Sequence, residues 1–279
     1  MTVPRFDPAR VAQLIRDVAA SEITPRFRTL AAHEVREKNP GDLVTIADES
    51  AERVLIPALE ALLTGSVAIG EEAIAAHPDL LSHLDQVERP VWVIDPVDGT
   101  VNFASGRPLF AVMVALVVAG RPIGGWIHDP LDGTMAVAEA GSGAWDGARR
   151  LRVAEPVPPE RMRGQILRRL FTHAGRAALR AHGLNFHQDR DALRCAGQEY
   201  LRLVRGEWHV TAYGRLRPWD HAAGLLIHSE AGGFSAYLSD RAPYHAARGE
   251  GPVMAAPSPE SWDALLVYLR RYFKEGVDL

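Results

Sequence analysis

The stretch IDPVDGT at residues 94–100 has a near-twin, HDPLDGT, at residues 128–134. Each places an aspartate before a proline, a second aspartate three residues on, and then Gly-Thr. Asp-Pro and Asp-Gly are common turn formers, so either stretch taken alone reads as a turn. The second copy fits that reading: it lies between GGWI and MAVA, two strand-like runs where a hairpin connection is expected. Asp129 and Asp132 are accordingly read as turn residues. The first copy has other neighbours. It follows VWVI, a continuous apolar run of the kind found in a strand buried on both faces, and it precedes TVNFASGRP, where no second strand begins at once. A buried strand that delivers two aspartates and then Gly-Thr into a helical turn sets a carboxylate pair beside backbone N–H groups. The carboxylates suit a hard cation and the N–H groups suit a phosphate. Clustered carboxylates repel, and a divalent ion is the natural way to hold both ionised.

The rest of the chain sets the frame. With 279 residues, 47% hydrophobic and 24% charged, it has the profile of an ordinary globular enzyme. A net charge of −4 gives no bulk attraction to nucleic acid or to an anionic membrane. The single cysteine, Cys195, excludes an internal disulfide and a cysteine-based zinc cage. The N-terminus MTVPRFDPAR lacks an apolar signal region, and the longest apolar run, residues 109–119, is too short to span a bilayer, so a cytoplasmic location is expected. Asp7-Pro8 reads as a helix start, with Val11, Leu14, Ile15 and Val18 on one face and Pro25 as the limit. A second helix is expected after DLVTIAD, carrying Leu55, Ala58, Leu59 and Leu62. From Ser66 the β-rich runs SVAIG, VWVI, LFAVMVALVVAG, PIGGWI and TMAVAEAG suggest a meandering sheet. The Pro-rich stretch at 153–163 is the candidate boundary between an α+β half, residues 1–153, and an α/β half, residues 154–279.

GEE at 70–72, WVIDPVDGTVNF at 92–103 and PWDHAAGLLIHSEAGG at 218–233 together resemble the inositol monophosphatase family. DLVTIAD at 42–48, following Lys38, resembles its N-terminal signature, and GSGAWDGARRLRVA at 141–154 resembles its G-x-G-A-x-x-N-G stretch with Asp146 in place of the usual asparagine. The resemblance runs from about residue 10 to about residue 257. Phosphatases of the haloacid-dehalogenase type also end an apolar strand in Asp-x-Asp-Gly-Thr, but there the aspartates are two apart, whereas Asp95 and Asp98 are three apart.

The resemblance implies a layered α-β-α-β-α sandwich and a phosphomonoesterase that uses two or three Mg²⁺ ions. It places Glu71, Asp95 and the Val97 carbonyl on one ion, and Asp95, Asp98 and Asp220 on a second, with Glu71 sharing a looser third. Gly99 and Thr100 would turn backbone N–H groups to the phosphate. The Thr100 hydroxyl, with Asp48 and with Thr45 as a further candidate, would orient the attacking water. Asp220 taken alone reads as an N-cap, since a helix is expected from His221; Trp219 reads as core, and His33, His221 and His228 as surface or packing residues. Lithium sensitivity and a homodimer are implied by the resemblance alone. The alcohol side departs from the family. The position of its inositol-contacting acidic residue is Tyr213, and its Gly-Ser/Thr-Ala segment reads Gly197-Gln198-Glu199, so the expected substrate is a small phosphorylated polyol, sugar or related metabolite rather than plain inositol phosphate. A fructose or nucleotide bisphosphatase, and a family member that serves as an interaction module, are the competing readings.

Overall fold

The computed structural model describes residues 4–86, 89–187 and 192–274. Asp7 caps α1 (Pro8–Val18) by accepting the Ala9 and Arg10 N–H groups, and Val11, Ile15 and Val18 are buried, as their spacing predicts. Pro25 does not stop the chain's winding at once: a π turn over Ala19–Ile23 and a 3₁₀ turn over Thr24–Arg26 continue it. A hairpin of β1 (Val35–Asn39) and β2 (Asp42–Thr45) then leads into α2 (Ile46–Leu62). This helix starts inside DLVTIAD rather than after it. Thr45 is its N-cap and Asp48 its third residue, and the two cap each other: the Thr45 hydroxyl accepts the Ala47 N–H, while Asp48 accepts both the Thr45 N–H and its hydroxyl.

The first large sheet follows. Its strands are β3 (Val67–Gly70), β4 (Val91–Asp98), β5 (Ala111–Val118), β6 (Arg121–His128), β7 (Met135–Glu139), β8 (Ala144–Asp146) and β9 (Arg149–Arg150), hydrogen-bonded in that order. α3 (Glu71–Ala76) lies in the crossover from β3 to its parallel neighbour β4, α4 (Thr100–Ala104) lies between β4 and β5, and every later pairing is antiparallel, the meander that the β-rich runs imply. β4 is buried at all eight positions. Its alternation sorts the two faces: Trp92 and Ile94 pack with α1 and α2, while Val91 and Val93 pack with residues of later helices.

Beyond the linking segment 153–163 comes a second sheet, built from β10 (Gly164–Ile166), β11 (Leu184–Phe186), β12 (Val210–Tyr213), β13 (Phe234–Tyr237) and β14 (Val253–Ala256), in the order β11-β10-β12-β14-β13. The helices of this part are α5 (His173–Ala181), α6 (Ala196–Val204), α7 (Pro218–Glu230) and α8 (Pro259–Arg270). α6 and α7 lie between the two sheets, contributing Tyr200, Leu201, Ala223 and Ile227 to a core that also takes Met113 and Ile127 from the first sheet and Val253 and Ala255 from the second. α5 and α8 cover the far face of the second sheet, through Leu179, Trp262 and Leu265. The result is the five-layer α-β-α-β-α order. Among the described residues, no helix is long and apolar enough to cross a membrane.

Candidate active site

The site is built where β4 ends. In a regular strand, residues three apart point to opposite faces. Here the register slips: Asp95 pairs with Met113 and Asp98 with Ala111, so Pro96 and Val97 together stand against Val112. The extra residue is a bulge, and it turns both carboxylates into one cavity. Pro96 suits the bulge because it has no N–H to leave unpaired there. The Val97 N–H donates to Asp95 Oδ1 at 3.1 Å. Gly99 then takes φ +89°, where a Cβ would lie 2.9 Å from the Leu109 carbonyl, and α4 starts at once.

Three further elements bring the other groups. β3, parallel to β4, ends at Gly70 and hands Glu71 to the first position of α3. α7 delivers Asp220, but not as its N-cap. The helix begins three residues earlier than expected, with Pro218 in the first position, Arg217 as the cap and Asp220 in the first turn. Carboxylate oxygens of Glu71, Asp95 and Asp220 all lie within 4.8 Å of one another. α2 brings Asp48, whose Oδ1 accepts the Thr100 hydroxyl at 3.3 Å; that hydroxyl also lies 3.0 Å from the Val97 carbonyl. Thr45 completes the chain with a 2.6 Å bond to Asp48 Oδ2. Glu71, Asp95, Asp98, Gly99, Thr100 and Asp220 share a cavity of about 180 Å³. Two hollows of about 440 and 400 Å³ elsewhere on the surface contain none of these residues. Charge, not size, marks the site.

The electrostatics are those of crowded acids. Burial and then the Glu71, Asp98 and Asp220 charges push the Asp95 carboxyl well above the usual range. Asp220 is raised for the same reasons, with Arg217 opposing. Asp98 is raised by burial against the pull of its hydrogen bonds. Asp48 rises to about 7 because it is buried, despite the two bonds from Thr45. An oxygen-only donor set at this separation fits a hard divalent cation, which relieves the repulsion that raises these groups.

Several residues escape sequence reasoning. Lys38 lies 3.1 Å from Glu71 and 2.8 Å from Glu72, and those carboxylates outweigh its burial and hold its ammonium above the ordinary range. Arg217 reaches Glu71 at 3.6 Å and Asp42 at 3.8 Å, and Arg194 lines the cavity. Lys38 and Arg217 do flank the matching motifs in the sequence, which is the signal that could have flagged them. Glu52, on α2, accepts the Glu72 and Ala73 N–H groups at 2.9 and 2.8 Å and so caps α3 behind Glu71. Of the alcohol-side candidates, neither Gly197 nor Tyr213 lines the cavity. The Gly197 N–H is given to Asp98 at 2.5 Å, and Tyr213 is stacked among His187, Tyr200 and His221.

Two mixed sheets sandwiching a helical layer, with an acidic cluster where β4, next to the edge of the first sheet, ends, define a metal-dependent phosphatase. The model of the inositol monophosphatase family matches residues 8–271, and the chain belongs to that family. An inositol-1-monophosphatase from Mesorhizobium japonicum is 33% identical over 225 residues, covering 77% of this chain and 80% of its own. A Thermotoga maritima protein named fructose-1,6-bisphosphatase/inositol-1-monophosphatase is 32% identical, covering 71% and 73%. The solved structure of a Thermotoga maritima IMPase superposes with a TM-score of 0.76 at 25% identity, over 94% of this chain and 96% of that one.

Proposed function

We propose that this phosphatase is Mg²⁺-dependent and hydrolyses monoesters of a small polyol, sugar or related metabolite, with Glu71, Asp95, Asp98, Asp220 and the Val97 carbonyl as its metal-holding groups. The observation that carries the reading is the convergence of Glu71, Asp95 and Asp220 from three separate elements beside the Thr100–Asp48 bond. When bound, Mg²⁺ supplies the positive charge that neutralises phosphoryl oxygens and eases deprotonation of water. The chain's own groups do the rest. Gly99 and Thr100 turn backbone N–H groups to the phosphate, with Gly99 free to adopt the left-handed conformation this needs. The Thr100 hydroxyl orients the attacking water, and Asp48, fixed by Thr45, is placed to take up its proton through that hydroxyl. Glu71, beside Asp95 and Asp220 and paired with Lys38 at 3.1 Å and Arg217 at 3.6 Å, completes the proposed catalytic set.

The alcohol side supports a leaving group other than plain inositol. In place of an acidic residue open to a hydroxyl it has Tyr213, 4.4 Å from the His221 ring, and Glu199, buried and held by Gln165 at 2.6 Å. Cytoplasmic location and a homodimer belong to the same reading; a monomer in light scattering removes the second. The deciding experiment is turnover of a panel of phosphate esters, with sugar phosphates, inositol 1-phosphate, fructose 1,6-bisphosphate and adenosine 3′,5′-bisphosphate, under Mg²⁺ and under excess EDTA. Mg²⁺-dependent release from the monoesters is expected. Full activity in EDTA refutes the metal reading, and a preference for either bisphosphate replaces the substrate class. Lithium at millimolar concentration is expected to inhibit; insensitivity counts only against a third ion.

A further inference from the structure

Asp98 is held from outside its own sheet. Its Oδ2 accepts the Gly197 N–H at 2.5 Å and the Cys195 thiol at 3.1 Å, both from the start of α6. Gly197 permits this approach, since a Cβ there would lie 2.7 Å from the Ala111 methyl. Oδ2 is thus committed to α6, and Oδ1 is left for the cavity. Any shift of the first turn of α6 therefore re-aims Asp98. The next residue, Gln198, controls that turn. Its Nε2 donates to Asp129 Oδ2 at 2.6 Å and to the Phe110 carbonyl at 3.2 Å. Asp129 belongs to the second motif copy and is buried, and its other oxygen accepts the Leu131 N–H at 2.9 Å, so the turn fixes the carboxylate before Gln198 reaches it. At the far end of α6, Arg205 bonds the Asp132 carboxylate at 3.1 Å and also the Thr134 hydroxyl. The HDPLDGT turn grips both ends of the helix whose first turn grips Asp98.

We propose that Gln198 and Asp129 are positioning residues for the metal site, forming a buried clamp that sets Asp98 through α6. The proposal rests on the metal reading above and assigns the second motif copy a task beyond turning the chain. A clamp with only a packing role would contribute to stability without touching metal affinity. Groups that orient a ligating carboxylate typically change affinity about ten- to a hundred-fold when removed.

The test is calorimetric titration of Mg²⁺ into the full-length, metal-stripped protein, with unfolding temperature measured in parallel without metal. Gln198→Met and Asp129→Ala should each weaken Mg²⁺ binding by at least about ten-fold, and the double variant should bind no worse than the weaker single, because both break one contact. Wild-type Mg²⁺ affinity in Gln198→Met, whatever its unfolding temperature, overturns the clamp. Should Gln198→Met fail to fold, the other end of the chain of contacts decides: Cys195→Ala should weaken Mg²⁺ binding and Cys195→Ser, which keeps a donor to Asp98, should restore it. Equal affinity in Cys195→Ala and wild type overturns the proposal. A wild-type protein that binds no Mg²⁺ sinks the underlying metal reading instead, so the two failures are distinguishable.

Discussion

Asp98 ends a strand buried at every position, whereas Asp132 is exposed, accepts the Thr134 N–H at 2.8 Å and pairs with Arg205. The two aspartates hold the same place in near-identical motifs, so matching substitutions separate their roles. Asp98→Asn removes charge from a proposed ligand while keeping an oxygen to accept the Gly197 N–H. Turnover should fall by about two orders of magnitude or more, and unfolding without metal should occur at the same or a higher temperature, because repulsion with Asp95 and Asp220 is relieved. Asp132→Asn keeps the turn's acceptor and loses only an exposed ion pair. Its activity should stay within a few-fold and its stability within about 1 kcal/mol. Steady-state kinetics with thermal melts on both variants check this, and comparable loss of turnover in two folded proteins would show that the copies divide the work differently.

At the scale of elements, α3 depends on a residue that no local pattern announces. Glu52 sits on the buried side of α2 and accepts two N–H groups from the first turn of α3, with Gly70 leaving room for its side chain. Glu52→Gln replaces one of those acceptors with a donor facing an N–H. It should cost about 1–3 kcal/mol of stability and, by loosening the turn that carries Glu71, weaken Mg²⁺ binding. Chemical denaturation and Mg²⁺ titration measure the two effects; an unchanged midpoint would mean the cap carries no weight. Elements whose signals are local were legible in the sequence: Asp7-Pro8 opening α1, the five β-rich runs of the first sheet, though not that the first of them joins its neighbour in parallel, and the strand-to-turn passage at 91–100. The start of α2 at Ile46, two residues before Asp48, is set by Thr45 and Asp48 capping each other, a reciprocal pair of bonds that the apolar spacing of the helix does not encode. The bulge at Pro96–Val97 is set by pairing with β5, which sequence spacing does not encode. Gln198 and Asp129 lie 69 residues apart, so the bond between them could not be read from either neighbourhood.

Across the whole molecule, the layer between the sheets carries buried histidines, and His228 is the extreme case. It is fully buried on α7, neither ring nitrogen has a hydrogen-bond partner among the described residues, and its ring packs where a side chain at residue 233 would otherwise stand. Burial alone lowers its pKa from 6.5 to about 4. The folded protein therefore binds this proton less readily than the unfolded chain. The stability His228 allows is fully present above pH 6.5 and is lost as pH falls toward 4, below which both states are protonated. Buried carboxyls work in the opposite sense: Glu199, raised to about 8 by burial, favours folding as pH falls from that value. The net acid profile mixes these terms, but a variant isolates one of them. His228→Leu keeps an apolar side chain in the same layer and removes the titrating group, while every other group stays in both proteins and cancels in the comparison. Relative to wild type, its unfolding free energy should rise by about 3 kcal/mol between pH 7 and pH 4, at roughly 1.4 kcal/mol per pKa unit. Denaturant unfolding at pH 7, 5.5 and 4 measures the difference. A gap between the two proteins that does not widen with acid would mean His228 takes up its proton inside the fold, and that the central layer is more open to water than its packing indicates.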